Sequence, residues 1–357
     1  MKNVDDNSII REDLSTIASN SLPWESLANK TVLITGGAGF IGAYLVKTLL
    51  VLNQLLDLKL RVVCVTRNKT SVKARLNYCT DFPELVVFEQ DMSLPLSPDF
   101  PRADIMIHAA SQASPSYYSK DPVGTLAANV LGTINLLNLA QKNTVDQFLY
   151  ISSGEVYGEL GNAASEITED SYGYLDPTKV RSCYGESKRM SENICVSYSH
   201  QYGIDTRIVR PFHTYGPGLS PSDGRVFADF IHAVAAGNDI EMTSDGNAKR
   251  PFCYISDAVT GIFHVLFSGK SGNAYNMGNP DGEVSIKELA TIVSETRMDI
   301  DISVKCAVQT TNYLKSPISR QVVNIDKIKL LGWIPTVSVI DGFTRSVYSQ
   351  LEALSDM

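Results

Sequence analysis

The 357-residue chain is short of several things, and each shortage excludes something. No uninterrupted apolar run reaches the length of a membrane span, so no membrane-crossing segment is expected. Met1 to Ser19 is polar and acidic with no apolar core, and does not read as a secretory signal. The six cysteines (Cys64, Cys79, Cys183, Cys195, Cys253 and Cys306) include no Cys-x-x-Cys pair. Reduced thiols of a cytoplasmic protein are their simplest account. The five histidines, His108, His200, His213, His232 and His264, are dispersed, and no metal-ligand cluster is visible. Positive charge is in deficit: 31 Lys and Arg against 39 Asp and Glu leave a net charge of −8, which argues against nucleic acid as a partner. Internal repeats and low-complexity tracts are absent as well.

What is present is ordinary globular composition, 44% hydrophobic and 20% charged. The length exceeds most single cores and suits a large α/β domain with an appended lobe. Thr31-Val32-Leu33-Ile34-Thr35 is an apolar run that ends in glycines, and it predicts a buried strand. Gly36-Gly37-Ala38-Gly39-Phe40-Ile41-Gly42 follows, and then a helical pattern to about Leu56. Strand, Gly-rich turn and helix in this order suit a dinucleotide. Gly36, Gly39 and Gly42 allow a tight turn and close backbone approach, and the helix N-terminus through Phe40 and Ile41 receives the pyrophosphate.

Arg61 to Thr66 predicts the second strand. Its end carries Thr66-Arg67-Asn68 where an NAD site has an acidic residue for the ribose hydroxyls. Arg67 either faces the 2′-phosphate of NADP or is a solvated loop residue. Strands over Val86–Phe88 and Ile105–His108 lead to Asp91, placed to reach the adenine edge, and to Ala109, Ala110 and Ser111, small enough to leave room for pyrophosphate or ribose. A helical pattern from about Pro122 to Asn143 precedes a strand over Gln147–Ile151. A helix to about Tyr202 and a strand over Thr206–Arg210 complete an alternating series. Residues 30–210 therefore read as an α/β domain with a doubly wound parallel sheet of the Rossmann type, after an N-terminal extension over 1–29 expected as a flexible start and an outer helix. From 211 to 357 the pattern loosens. A Pro/Gly-rich loop to Gly224, helices at 225–236, 257–268 and 285–297, and a strand at Ala274–Met277 predict a smaller α/β lobe, with the site in the cleft between the two.

Tyr184 and Lys188 stand four residues apart, one turn apart on one face of a helix. A phenol normally titrates near 10, roughly, and a nearby ammonium draws it toward acid–base use. Ser153, at the carboxyl end of a strand, can donate to the substrate oxygen that Tyr184 deprotonates. With the Gly-rich turn, this set describes hydride transfer at a carbinol carbon beside a nicotinamide.

These motifs resemble the extended short-chain dehydrogenase/reductases that modify nucleotide sugars. Over roughly 30–347 the chain is most similar to UDP-glucuronate decarboxylases. The resemblance rests on His108-Ala109-Ala110-Ser111-Gln112-Ala113-Ser114-Pro115, Ser153-Gly154-Glu155-Val156-Tyr157-Gly158, Arg181-Ser182-Cys183-Tyr184, Asp223-Gly224-Arg225-Val226, Arg250-Pro251-Phe252-Cys253-Tyr254 and Leu331-Gly332-Trp333. It implies NAD as cofactor, with NADP left open by Arg67. It also implies a nucleotide-diphosphate sugar as partner and a homodimer through the helices near 122–142 and 184–202. Arg225 and Arg250 would contact the diphosphate, and Tyr117 or Tyr118 would line the sugar site. Glu155 would act near C5 on a 4-keto intermediate. Gly154 argues against a 4,6-dehydratase, which needs an acid there. His213 replaces the family's usual Asn, and its carboxylate-binding Arg falls on Arg320 or, with a one-residue gap, on Gln321. A 4-keto-6-deoxysugar reductase using NADPH, or a sugar-nucleotide epimerase or dehydratase, is the alternative reaction. A dinucleotide-binding sensor is the non-enzyme alternative, against which the retained Ser153, Tyr184 and Lys188 speak.

Overall fold

The computed structural model describes residues 2–161, 166–221, 223–242, 244–306 and 320–355. Seven strands build its centre: β1 (Thr31–Thr35), β2 (Arg61–Thr66), β3 (Leu85–Glu89), β4 (Ile105–His108), β5 (Gln147–Ile151), β6 (Thr206–Pro211) and β7 (Asn273–Met277). They hydrogen-bond in the order β7-β6-β5-β4-β1-β2-β3, and every neighbour pair is parallel. The order reverses between β1 and β4, so the crevice beyond their carboxyl ends is where such a sheet takes ligands.

β1, β2, β4 and β5 are largely apolar because both faces of the sheet are covered. On one face Val32, Ile34, Val62, Cys64, Ile107 and Leu149 share a core with Leu45, Leu49 and Leu52 of the helix Phe40–Leu56 and with Ile262 and Phe263 of the helix Ile255–Ser268. On the other, Leu33, Val63, Val65, Met106, Phe148 and Ile208 pack with Leu136, Leu137 and Ala140 of the helix Pro122–Asn143 and with Cys195 of the helix Cys183–Tyr202. The 22-residue Pro122–Asn143 helix is, by length and composition, long and apolar enough to cross a membrane. Here one side of it is part of the core of the sheet.

Residues beyond 210 also enter the central sheet. β7 lies against β6, with Ala274 beside Ile208, and the helix Ile255–Ser268 covers a sheet face. The rest of this half gathers the helices Val226–Ala235, Ile286–Ser294 and Val339–Ser355 around Phe252 and Phe343. The N-terminal stretch is more deeply embedded than an outer helix. In the helix Ser8–Ala18, Leu14 and Ile17 are fully buried, and Asp13 is buried among Tyr44, Tyr254 and Arg345. Ahead of it, Asp5 and Lys47 form a buried ion pair. Periodicity shows that a short segment is a helix; burial of its acidic side depends on cations and hydroxyls contributed from far along the chain.

Candidate active site

The turn after β1 is shaped for close approach. Gly36 has φ +66°, and a Cβ there would meet Ala110 Cα at 2.8 Å and Ala109 O at 2.9 Å. A Cβ on Gly42 would sit against the Gly36 carbonyl. Gly39 caps the Phe40–Leu56 helix without a side-chain bond, and the first intrahelical bond runs from Ala43 N to Gly39 O at 2.9 Å. The amides of Phe40, Ile41 and Gly42 thus precede any intrahelical acceptor, as an anion site requires. Across the turn Ala110 N donates to Thr35 Oγ1 at 3.2 Å, and the buried Ser111 Oγ has no partner among the described residues. These groups fit a dinucleotide pyrophosphate. Asp91 accepts from Ser93 N at 2.9 Å and Ser93 Oγ at 2.7 Å, so its carboxylate braces the loop after β3. Arg67 is exposed at the end of β2, close enough to Asp121 to help hold that carboxyl below its usual value, behind the Gln112 and Gly124 hydrogen bonds.

Tyr184 and Lys188 lie buried on the first turns of the helix Cys183–Tyr202, at 6% and 2% exposure. Lys188 Nζ donates to the Ile151 carbonyl at 2.7 Å and sits 4.8 Å from the Tyr150 ring and 5.7 Å from the Tyr184 ring. Burial lowers its pKa to about 7. Burial pushes the Tyr184 phenol up to about 12; hydrogen bonding to Ser153 draws it back, Glu155 raises it, and Arg225 and Arg181 lower it. Arg225 and Arg181 thus join Lys188 as cations near the phenol. Ser153 caps the short turn Gly154–Tyr157, its Oγ accepting from Glu155 N at 3.2 Å.

Arg181 is the residue that sequence reasoning quoted but did not assign. Its Nη2 donates to Glu155 Oε2 at 3.2 Å, its guanidinium lies 4.8 Å from the Tyr118 ring centroid, and its buried Nε has no partner among the described residues. The signal was available: Arg181 stands three residues before Tyr184, the spacing that puts two groups on one side of a turn. Tyr118 stacks on Tyr184 and gives its hydroxyl to Ala113 O at 2.8 Å, so it backs the phenol and offers no hydroxyl to the cleft. Tyr117 is 41% exposed. A Cβ at Gly154 would meet the Phe212 ring at 3.0 Å, so a side chain there would need that ring to shift.

From the other half, Arg225 pairs with Asp223, Nη2 to Oδ2 at 2.9 Å, and lies over Phe227. The Asp223 carbonyl accepts from Ser114 Oγ, joining the two halves across the cleft. Arg250 is buried at 8% exposure, and His213 packs edge-on against Phe252. Burial, then Arg250 and Arg225, hold His213 neutral with its pKa down at about 3. Arg320 is not brought to this group: its side chain is 60% exposed and ion-paired to Glu283 at 2.6 Å. Gln321 next to it is buried at 2%, with Oε1 lacking a partner among the described residues. An ungapped count along a loop cannot register which of two neighbours points inward.

Under the site runs a buried polar network. Ser152 Oγ donates to Glu192 at 2.5 Å, Arg210 clamps the same carboxylate at 2.6 Å and 2.9 Å, and Arg210 reaches Tyr157 Oη at 2.7 Å.

Residues 32–278 match the model of the NAD dependent epimerase/dehydratase family. UDP-glucuronic acid decarboxylase 6 of Arabidopsis thaliana is 37% identical over 316 residues, 88% of this chain and 87% of that protein. UDP-glucuronic acid decarboxylase 1 of Xenopus tropicalis is 32% identical over 321 residues, 89% and 72% of the two chains. Among solved structures, the dTDP-glucose 4,6-dehydratase DesIV of Streptomyces venezuelae, with NAD and TYD bound, superposes with a TM-score of 0.77 at 27% identity, over 91% of this chain and 98% of that one.

Proposed function

The chain belongs to the NAD dependent epimerase/dehydratase family, and from that premise we propose that it decarboxylates a UDP-linked glucuronate through a 4-keto intermediate. The observation that carries the reading is the Arg181–Glu155 pair beside Tyr184. Decarboxylation at C5 of a 4-keto sugar needs a base or acid near C5 and a cation for the carboxylate. Glu155 supplies the first. Arg181, with a buried Nε free to donate, supplies the second in place of the exposed Arg320.

Gly36, Gly39, Gly42 and the helix amides after them would hold NAD, with Lys188 at the ribose. When bound, NAD accepts the hydride from C4 and later returns it. The residues of the chain do the rest. Tyr184, in its phenolate form, takes the proton from the C4 hydroxyl, and Ser153 donates to the same oxygen. With the C4 carbonyl formed, the carboxylate at C5 is a β-keto acid, and CO2 leaves as charge builds on the C4 oxygen. Ser153 and Tyr184 stabilise that charge. Glu155, oriented by Arg181, orders a water at C5, through which a solvent proton adds to the enolate carbon that CO2 has left. Arg225 and Arg250 suit the diphosphate because guanidinium geometry matches phosphate oxygens. His213, held neutral, offers hydrogen bonding without adding charge beside them.

One observation favours a second reading. Arg67 stands exposed where NAD enzymes carry an acid, which suits NADPH and a 4-ketoreductase. Incubation with UDP-glucuronate and with UDP-4-keto-6-deoxyglucose, followed by mass spectrometry, separates the two. Loss of CO2 from the first supports decarboxylation, whereas reduction of the second with no turnover of the first overturns it.

The protein is further proposed to be a cytoplasmic homodimer. Val123, Leu126 and Leu131 of one long helix and Met190 and Val196 of the other are exposed at 38–73%. These two helices pack on each other over the sheet, and their outward apolar residues suit a second copy.

A further inference from the structure

A buried carboxylate that no motif singled out connects the two halves of the molecule. Asp13, 2% exposed, receives three donors from three separate elements: Tyr44 Oη at 3.1 Å, Tyr254 Oη at 2.9 Å and Arg345 Nη2 at 2.9 Å. Arg345 also donates to Tyr254 Oη at 3.2 Å and pairs with Glu12 at 3.0 Å, which closes the network. Tyr44 belongs to the Phe40–Leu56 helix, little more than one turn beyond Gly39, and its ring packs edge-on against Phe40 at 6.3 Å. It therefore touches the element whose amides would hold the pyrophosphate. Tyr254 follows Arg250 by four residues, and its ring packs edge-on against Tyr215, 5.6 Å away. Tyr215 packs on Phe252, and Phe252 packs on His213 at 5.8 Å. Tyr254 thus belongs to the aromatic block that carries the diphosphate-side residues.

We propose that Asp13 is a positioning residue that couples the two subsites, so that filling the dinucleotide cradle raises the affinity for the nucleotide. The physical basis is the rigidity of a buried, fully satisfied carboxylate. Its hydrogen bonds shorten or lengthen only at a cost, so a shift of the phosphate helix on binding is transmitted to Tyr254 and its aromatic neighbours. Coupling of this kind is reciprocal. The N-terminal helix then serves as a strut between the subsites. This inference rests on the two-ligand reading of the site given above, though not on the decarboxylation itself.

The test is calorimetric titration of UDP into the full chain, with and without saturating NAD. In the unaltered protein UDP is expected to bind at least about fivefold more tightly with NAD present. Tyr44→Phe and Tyr254→Phe each remove one donor and leave Arg345 on the carboxylate; each is expected to bring that ratio close to one. A purely structural role would weaken UDP binding equally in both states and leave the ratio unchanged. A ratio of one in the unaltered protein, or an unchanged ratio in both variants, overturns the proposal. Failure of the unaltered protein to bind UDP or NAD at all overturns the reading of the site together with it.

Discussion

Tyr118 and Tyr184 lie ring on ring, their centroids 5.0 Å apart and their planes 20° from parallel. The Tyr118 hydroxyl is committed to the Ala113 carbonyl, so the pair acts as a wall and a working face. Tyr118→Phe keeps the ring and should leave turnover near that of the unaltered enzyme. Tyr118→Leu removes the flat support and should lower kcat by roughly 10²-fold, the effect of misplacing a reacting group by about 1 Å. Steady-state rates on UDP-glucuronate, with circular dichroism to verify folding, check both.

Tyr184→Phe deletes the group that moves the C4 proton. Turnover should fall by about 10²- to 10⁴-fold with the melting temperature little changed. Retention of more than a tenth of the activity would argue that another group takes that proton.

Arg181 and Arg320 make opposite predictions. Arg181→Gln removes the cation beside Glu155 and should lower kcat/KM by roughly 10- to 100-fold, the range for a hydrogen bond to a charged group. Arg320→Gln only opens an exposed ion pair with Glu283 and should leave kcat/KM within about twofold. Measuring the two variants side by side assigns the carboxylate-binding role, and the reverse ranking would move it to the 320–321 segment.

Burial raises the Asp13 carboxyl to about 6, with Arg345, Tyr254 and Tyr44 drawing it partly back. In the unfolded chain it titrates near 3.9, roughly. Between these values the folded protein holds a proton that the unfolded chain has lost. Stability from this group is therefore complete below the lower value and declines as pH rises through about 6. Asp13→Asn should flatten that part of the profile. Melting temperatures from acid to neutral pH provide the measurement, and an identical slope in the variant would be the contrary result.

Leu131→Glu places a charge in the exposed apolar face of the Pro122–Asn143 helix, where Leu131 is 46% exposed. Sedimentation should show a dimer becoming a monomer with the fold intact. An unchanged sedimentation coefficient would locate the contact elsewhere or show that none forms.

Much of the architecture was legible along the chain because its signals are local. The apolar runs at 31–35 and 147–151, the glycines after the first, and the four-residue spacing of Tyr184 and Lys188 each depend on neighbours within a few residues. Periodicity and steric freedom act over that range. The place of β7 was not legible, because a five-residue strand, Asn273–Met277, does not record which strand it will pair with.

By itself the sequence determined the strand–turn–helix of the dinucleotide half and the Ser153, Tyr184 and Lys188 set. It also carried the match to the NAD dependent epimerase/dehydratase family. Only the tertiary structure decided that Gln321 points inward while Arg320 faces solvent, that Phe212 fills the space beside Gly154, that Arg181 holds Glu155, and that Asp13 draws its partners from residues 44, 254 and 345. The physical reason is range: backbone preference is set by adjacent residues, whereas the direction of a side chain, its burial and its electrostatic partners are set by segments that meet only when the chain is folded.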